Sequence, residues 1–205
     1  MLFRSHIGAG SYFVPYELGF RWPRRLQLVA TGKKLEEREE GEWRMGRWKS
    51  EAPIPVAGFN LGEYASEVVE AGSLKIELYA NRQLEQAVMG HFDQPIVVQT
   101  RPPSASRRVV APPTIFLPSA PPPSPAALLK PLGEDVANAI RFYEKLNGAF
   151  PFERLAIAQI PGSFGQGWPG LLYLSTLSFL TPAAQQRAGI ARRTQEQFKI
   201  GRAHV

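Results

Sequence analysis

Three histidines and the absence of cysteine decide which metal chemistry this chain can perform. The histidines are His6, His91 and His204. A hydrolytic zinc site usually places two histidines four residues apart on one helix face, with a glutamate that activates a metal-bound water, and it needs three protein ligands. No histidine here has another within four positions, and none is followed by glutamate. The sequence therefore predicts no metal ligand and no catalytic residue in this chain.

A glycine-rich stretch at residues 162–170 is the second candidate for chemistry. It has neither the spacing of a dinucleotide-binding fingerprint nor the Gly-Lys-Ser/Thr of a phosphate loop. Ser163 and Ser175 have no nearby histidine to act as a base, and no carboxylate lies between Glu153 and Glu196. These residues alone fit a tight turn between two buried strands equally well.

The net charge of +6 raises the alternative of a nucleic-acid binder. Residues 101–130 carry four cations and no acid, and the tail from residue 184 carries five cations and one acid, so these two segments hold more than the whole excess. Such segments are usually solvated. Aromatic and basic residues also alternate in a way that could stack on single-stranded nucleic acid; they are Trp43, Trp48, Phe59 and Tyr64, with Arg44, Arg47 and Lys49. Cross-strand aromatic packing is the commoner reason for this pattern, and no nucleic-acid partner is expected.

The first hundred residues are predicted to be mostly strand. Residues 74–79 and 16–22 alternate apolar and polar side chains, the period of a half-buried strand. Further short strands are predicted at 26–30, 43–48 and 56–64. The charged run at 33–42 fits a hairpin connection better than a helical turn. Short strands at this spacing indicate an antiparallel sandwich or meander.

Composition changes sharply at residues 101–131, which hold ten of the 19 prolines. Proline lacks the amide donor and fixes φ, so this stretch is predicted to be an extended linker or insertion rather than a helix or central strand. Residues 132–147 then predict a helix that ends at Gly148. Buried strands are predicted at 155–160 and 171–175, followed by a helix from Thr181. No run of about 18 apolar residues occurs, so no transmembrane segment is predicted.

The order of five segments resembles the aminopeptidase N-like family of zinc metallopeptidases. Residues 142–155, Phe-Tyr-Glu-Lys-Leu-Asn-Gly-Ala-Phe-Pro-Phe-Glu-Arg-Leu, look like the start of its catalytic domain. Residues 165–173, Gly-Gln-Gly-Trp-Pro-Gly-Leu-Leu-Tyr, stand where the family has Gly-x-Met-Glu-Asn and a following strand. Residues 28–32, 57–64 and 76–81 are similar to strands of its N-terminal β-domain. The resemblance covers most of the chain outside the proline-rich part.

The resemblance implies a mixed α and β fold in two parts. A partial antiparallel β-domain would occupy residues 1–100, and the start of a thermolysin-like α+β catalytic domain would occupy residues 132–199. The proline-rich linker or insertion at 101–131 would separate them.

In this family the glycine-rich strand lies along the cleft, pairs with the substrate backbone, and uses its glutamate to bind the free amino group. The backbone role carries over to Gly165, Gln166, Gly167, Trp168, Pro169 and Gly170. The amino-group role does not, because an alignment on Gly170 puts Gly167 at the glutamate position and Trp168 at the asparagine position.

The family's His-Glu-x-x-His helix follows this strand by a few dozen residues, and the chain stops about there. The expectation is therefore an internal fragment of a gluzincin that hydrolyses peptides through a zinc-bound water. Zinc and the peptide substrate would belong to the full-length parent, while this chain holds no cofactor and is inactive alone. Two alternatives remain: a complete, non-catalytic β-rich binding module, and a basic, aromatic binder of single-stranded nucleic acid.

Residues 200–205 are predicted to be a non-native tail. Their sequence, Ile-Gly-Arg-Ala-His-Val, can be encoded by ATC GGA AGA GCA CAC GTC, which matches a widely used short-read sequencing adapter whose two preceding bases fit the end of the Lys199 codon. Independent long-read sequencing of the locus should show the frame leaving this peptide after Phe198 or Lys199 and continuing into His-Glu-x-x-His. Genuine DNA that encodes residues 200–205 followed by a stop codon would contradict this prediction.

Overall fold

The computed structural model describes residues 12–90, 92, 96–99, 114–117, 121–162 and 164–187. The strands in this part of the chain are β1 (Glu17–Pro23), β2 (Gln27–Ala30), β3 (Lys33–Glu40), β4 (Trp43–Lys49), β5 (Phe59–Gly62), β6 (Tyr64–Ala71), β7 (Leu74–Asn81), β8 (Ile96–Gln99), β9 (Thr114–Leu117), β10 (Arg154–Ile160), β11 (Gln166–Trp168) and β12 (Leu171–Ser175). The helices are α1 (Gln86–Met89), α2 (Leu129–Asn147) and α3 (Pro182–Arg187), with 3₁₀ turns at Pro125–Leu128 and Thr176–Phe179. The predicted mixed α and β class is confirmed.

The described residues fall into two compact units. The first comprises residues 12–82 and 125–179, and the second comprises the described residues within 83–124 and 180–187. In the second unit, β8 and β9 pair antiparallel, from Ile96 opposite Leu117 to Gln99 opposite Thr114. None of the helices in the described ranges is long and apolar enough to span a membrane.

The charged run at 33–42 is a strand rather than a mere connection, which corrects the sequence prediction. It forms β3, the edge of a three-stranded sheet with the order β1-β4-β3, and all eight residues of β3 are exposed. Cross-strand ion pairs replace apolar burial: Arg44 lies 2.8 Å from Glu39, and Arg47 lies 2.7 Å from Glu36. A strand without a buried face has no apolar alternation to reveal it, and its charges protect the edge from pairing with other chains.

The central element of the first unit is a five-stranded sheet with the order β11-β12-β10-β7-β6. β10 runs parallel to both β7 and β12, whereas β6 with β7 and β11 with β12 pair antiparallel. The strands predicted at 74–79, 155–160 and 171–175 are confirmed as β7, β10 and β12. Strands from both sides of the proline-rich stretch thus share one sheet, a pairing that periodicity does not predict. The domain boundaries at residues 100 and 132 stay predictions.

Helix α2 covers one face of this sheet, and its first turn lies inside the proline-rich stretch. The helix begins at Leu129, three residues before the predicted start, and includes Pro131. Proline is tolerated there because the first four N–H groups of a helix have no intrahelical acceptor. The helix ends before Gly148, whose φ is +88°. Its buried residues pack against Leu74, Ile76 and Leu78 of β7.

Gly133 allows α2 to approach the sheet closely. A Cβ at this position would lie 2.6 Å from Cγ2 of Val69 and 2.8 Å from Cδ1 of Leu78. Side chains of both sheet strands therefore occupy the space that any larger residue needs. Glycine is costly inside a helix, so the close approach explains why it stands here.

We predict that Gly133→Ala destabilises the chain, although alanine normally stabilises a helix relative to glycine. Overpacking costs about 1–3 kcal/mol, which exceeds the helical gain of about 0.5–1 kcal/mol. The measurement is the urea midpoint of Gly133→Ala in the wild-type and Val69→Ala backgrounds. The cost should shrink when Val69→Ala removes the nearest methyl group, and a higher midpoint for Gly133→Ala alone would contradict the close packing.

Candidate functional site

The six residues assigned by the resemblance lie together at one edge of the five-stranded sheet. The glycine-rich stretch is in part a strand and not only a turn, because Gln166–Trp168 form β11 and pair with β12 from Gln166 opposite Tyr173 to Trp168 opposite Leu171. The connection is Pro169-Gly170. Proline fixes φ near −65° and Gly170 has φ +69°, the combination that a tight two-residue turn needs. This turn chemistry was visible in the sequence and gives the physical reason for the correction.

Within the described residues, β11 is one of the two edge strands of this sheet, and β6 is the other. Gly165, Gln166 and Gly167 are exposed, and the following three residues are half-buried. Antiparallel pairs alternate between residues that exchange hydrogen bonds and residues that do not. Because a two-residue turn makes Trp168 and Leu171 a hydrogen-bonded pair, we expect the N–H and C=O of Gly167 to point away from β12.

Trp168 connects this edge to the interior of the first unit. Its ring packs edge-on against Tyr173, with 6.3 Å between ring centroids. A Cβ on Gly58 would lie 2.9 Å from the indole Nε1, so only glycine allows this approach. The indole thereby fixes the position of β11 against the layer formed by β2 and β5.

Two buried polar atoms beside β11 have no hydrogen-bond partner within the described part of the chain: Nε1 of Trp168 and the hydroxyl of Tyr173. Burial raises the pKa of the Tyr173 phenol well above its usual value, and the Tyr64 phenol adds to the rise. A buried group without a partner costs about 1–3 kcal/mol. Burial of these two atoms therefore lowers the free energy of unfolding.

Gln159 is a buried polar residue in β10 that sequence reasoning did not single out. It is 1% exposed. Its Oε1 accepts from the backbone N–H of Asn81 at 2.8 Å, and its Nε2 donates to Thr176 at 2.9 Å. Its carbonyl oxygen accepts from Asn60 at 3.2 Å and from the Tyr64 hydroxyl at 3.5 Å. A glutamine inside the apolar run at 155–160 was the signal that could have indicated this bonded position.

A second polar cluster joins β7 to the start of β10, and no pattern in the sequence indicated it. Nε of Arg154 and the hydroxyl of Tyr79 each donate to Oε2 of Glu77 at 2.8 Å. Burial alone would raise the pKa of the Glu77 carboxyl, but the Arg154 charge, the two hydrogen bonds and Lys75 outweigh it and hold this pKa below its ordinary range. The ionised carboxylate therefore stabilises the fold above the usual pKa of glutamate, and this contribution is lost as the pH falls through the lowered pKa.

The described residues do not form a zinc site. No group of three or more His, Cys, Asp or Glu side chains in these ranges is placed to hold a metal ion. The three histidines lie outside the described residues, as does the tail at 200–205.

The aromatic residues considered as a nucleic-acid platform are divided between interior and surface. Trp48 and Tyr64 are 2% and 3% exposed, whereas Trp43 and Phe59 are exposed. Trp48 packs against Trp22 and Phe20 across the β1–β4 pair. Cross-strand aromatic packing therefore accounts for Trp48.

Comparison with known proteins finds similarity in structure alone. No protein-family model and no curated protein matches the chain. A mutant of a two-domain M1 zinc metallopeptidase bound to L-arginine superposes with a TM-score of 0.51 at 12% identity, over 87% of this chain and 33% of that one. A mutant M1 zinc metallopeptidase from Deinococcus radiodurans, bound to a Tyr-Ser-Ala substrate, gives a TM-score of 0.50 at 12% identity, over 85% and 32%. The chain thus spans about a third of these structures, and the likeness is one of fold.

We predict different effects for the same chemical change at Tyr173, which is buried, and at Tyr79, which is half-buried. Tyr173→Phe removes a hydroxyl without a partner, so the free energy of unfolding should stay unchanged or rise by about 1 kcal/mol. Tyr79→Phe removes a hydrogen bond to the Glu77 carboxylate and should cost about 1.5 kcal/mol or more. Urea unfolding of both variants at neutral pH measures the difference, and a large loss of stability in Tyr173→Phe would show that its hydroxyl is bonded.

Proposed function

We propose that this chain is part of a zinc-dependent peptidase and forms one wall of the groove that holds the peptide substrate. The fold similarity to part of two M1 zinc metallopeptidase structures supports the peptidase assignment. The placement of β11 at the sheet edge supports the role in substrate binding. Hydrolysis of the peptide bond belongs in this proposal to the complete parent protein.

The open edge of β11 is the observation that carries this proposal. An extended peptide can add to an exposed sheet edge through backbone hydrogen bonds, and glycine at positions 165 and 167 leaves no side chain to obstruct its approach. Gly167 would supply the N–H and C=O that pair with the substrate. Trp168, held against Gly58 and Tyr173, would keep the strand in place when the peptide leaves.

Recognition of a free amino terminus is not part of what this edge supplies. Residues 165–170 contain no carboxylate, and none occurs between Glu153 and Glu196. A substrate ammonium group needs a negative partner when it leaves water. We propose that the parent either provides this carboxylate from another segment or accepts peptides without anchoring their amino terminus.

The zinc ion would be held elsewhere in the parent. A catalytic zinc needs three protein ligands, and the described residues offer no such group. In our proposal the described residues therefore position the peptide backbone and take no part in proton transfer or metal binding.

We predict that the chain binds an extended five-residue peptide with uncharged side chains at β11 and that Gly167→Pro weakens this binding by about tenfold or more. Proline removes the outward N–H, and its ring obstructs the approaching strand. Binding is measured by ¹⁵N chemical-shift titration, with the shifts expected at residues 165–168. Acetylation of the peptide amino terminus should change the affinity by less than about threefold, because this edge offers an ammonium group no carboxylate.

The control is Glu85→Pro, which places proline before α1 at a position whose φ is already −63°, and it should leave peptide affinity unchanged. N-methylation along the peptide should weaken binding at alternate positions only, the period of strand pairing. Shifts that avoid β11, or an affinity that Gly167→Pro leaves intact, would refute the proposal.

A further inference from the structure

We propose that a cleft in the first unit, distinct from the β11 edge, binds a small organic oxyanion such as a carboxylate or a phosphate monoester. The cleft has a volume of about 380 Å³, within the usual range for ligand sites. One wall comes from β7 and the start of β10, and the other comes from β2, β3 and β4. None of its lining residues belongs to residues 165–170.

The buried wall of this cleft carries an excess of positive charge. The Glu77 carboxylate faces two cations, because Arg154 Nε lies 2.8 Å from Oε2 and Lys75 Nζ lies 3.5 Å from Oε1. The side chains of Glu77 and Arg154 are only 14% and 17% exposed. Taking such a pair out of water is costly, and ionised groups held in a cleft by specific partners are typical of binding sites.

Two ammonium groups at the mouth of the cleft have only loose partners. Lys75 is 56% exposed and reaches Glu77 only at 3.5 Å. Lys33 lies 3.5 Å from Glu153, and these two side chains are 66% and 82% exposed, so their attraction is weak. The cross-strand neighbour of Lys33 is Lys49, another cation. Lys33 and Lys75 are therefore available to an incoming anion.

The remaining charges limit the ligand to a small anion. Lys34 is already held by Glu37 at 2.6 Å. Glu51 also lines the cleft, so its four cations face three carboxylates and the net charge is +1. A polyanion would be repelled by Glu51 and Glu153, whereas one oxyanion between Lys33 and Lys75 balances the excess. The remaining volume and the apolar Leu28 leave room for an organic part.

The test is ¹⁵N chemical-shift titration of the chain with inorganic phosphate, phenyl phosphate and benzoate, and with benzyl alcohol as the uncharged control. We expect saturable shifts at residues 33, 75 and 77, with phenyl phosphate and benzoate binding more tightly than phosphate. Selective binding of phenyl phosphate would identify a phosphate ester as the ligand, and selective binding of benzoate a carboxylate. The double variant Lys33→Gln/Lys75→Gln should weaken binding about threefold to tenfold.

Lys130→Gln is the matched control, since Lys130 is exposed on α2 and does not line the cleft; it should leave the affinity unchanged. Preserved amide spectra of each variant verify the fold. Shifts that spread over all basic residues without saturation would show counter-ion binding only. An affinity that Lys33→Gln/Lys75→Gln leaves intact would show that the anion binds elsewhere. Either result would overturn the proposal. Neither result bears on peptide binding at β11, which Gly167→Pro tests separately.

Discussion

The parallel pairing of β7 with β10 is the constraint on which the rest of the first unit depends. It runs from Arg154 opposite Lys75 to Ala158 opposite Tyr79, between segments more than 70 residues apart. Parallel strands cannot be joined by a short turn, and here they are connected through residues 82–153, which include α2. The face of β7 that meets α2 is apolar, whereas its other face carries Lys75, Glu77 and Tyr79. One face of β7 thus contributes to the hydrophobic core, and the other face forms part of one wall of the charged cleft.

Arg154 extends this constraint beyond the central sheet. Besides its ion pair with Glu77, its Nη1 donates to the carbonyl oxygens of Gly32 at 3.2 Å and Ala30 at 3.4 Å. Gly32 has φ +92°, and a Cβ there would lie 2.4 Å from the carbonyl oxygen of Lys49, so only glycine fits this turn. The guanidinium thereby holds the β2–β3 turn against the start of β10. The same residue that stabilises the parallel pairing also sets the distance between the cleft walls.

Local patterns in the sequence predicted those elements whose burial is periodic. β7 and β12 alternate buried and less buried residues, and β10 is apolar almost throughout, so all three could be identified. β3 could not, because cross-strand ion pairs stabilise it without a buried face. The start of α2 was hidden by Pro131, which indicates an extended chain although it is harmless in a first helical turn. The Glu77–Arg154 pair was equally hidden, since it joins residues that only the parallel pairing brings together.

The candidate site shows the same division between local and long-range information. The dipeptide Pro169-Gly170 indicates a tight turn, so the position of the β11 hairpin along the chain was predictable from the sequence. Its location at the sheet edge was not, because it depends on the order of five strands. In our proposal the edge formed by residues 165–167 pairs with backbone, which every peptide presents, so selectivity must come from the side chains around it. A fold shared at 12% identity leaves those side chains free to differ. In our proposal, the presence of Gly167 and Trp168 in place of the acidic and amide residues of the resembled motif therefore separates binding of an extended backbone from recognition of a charged terminus.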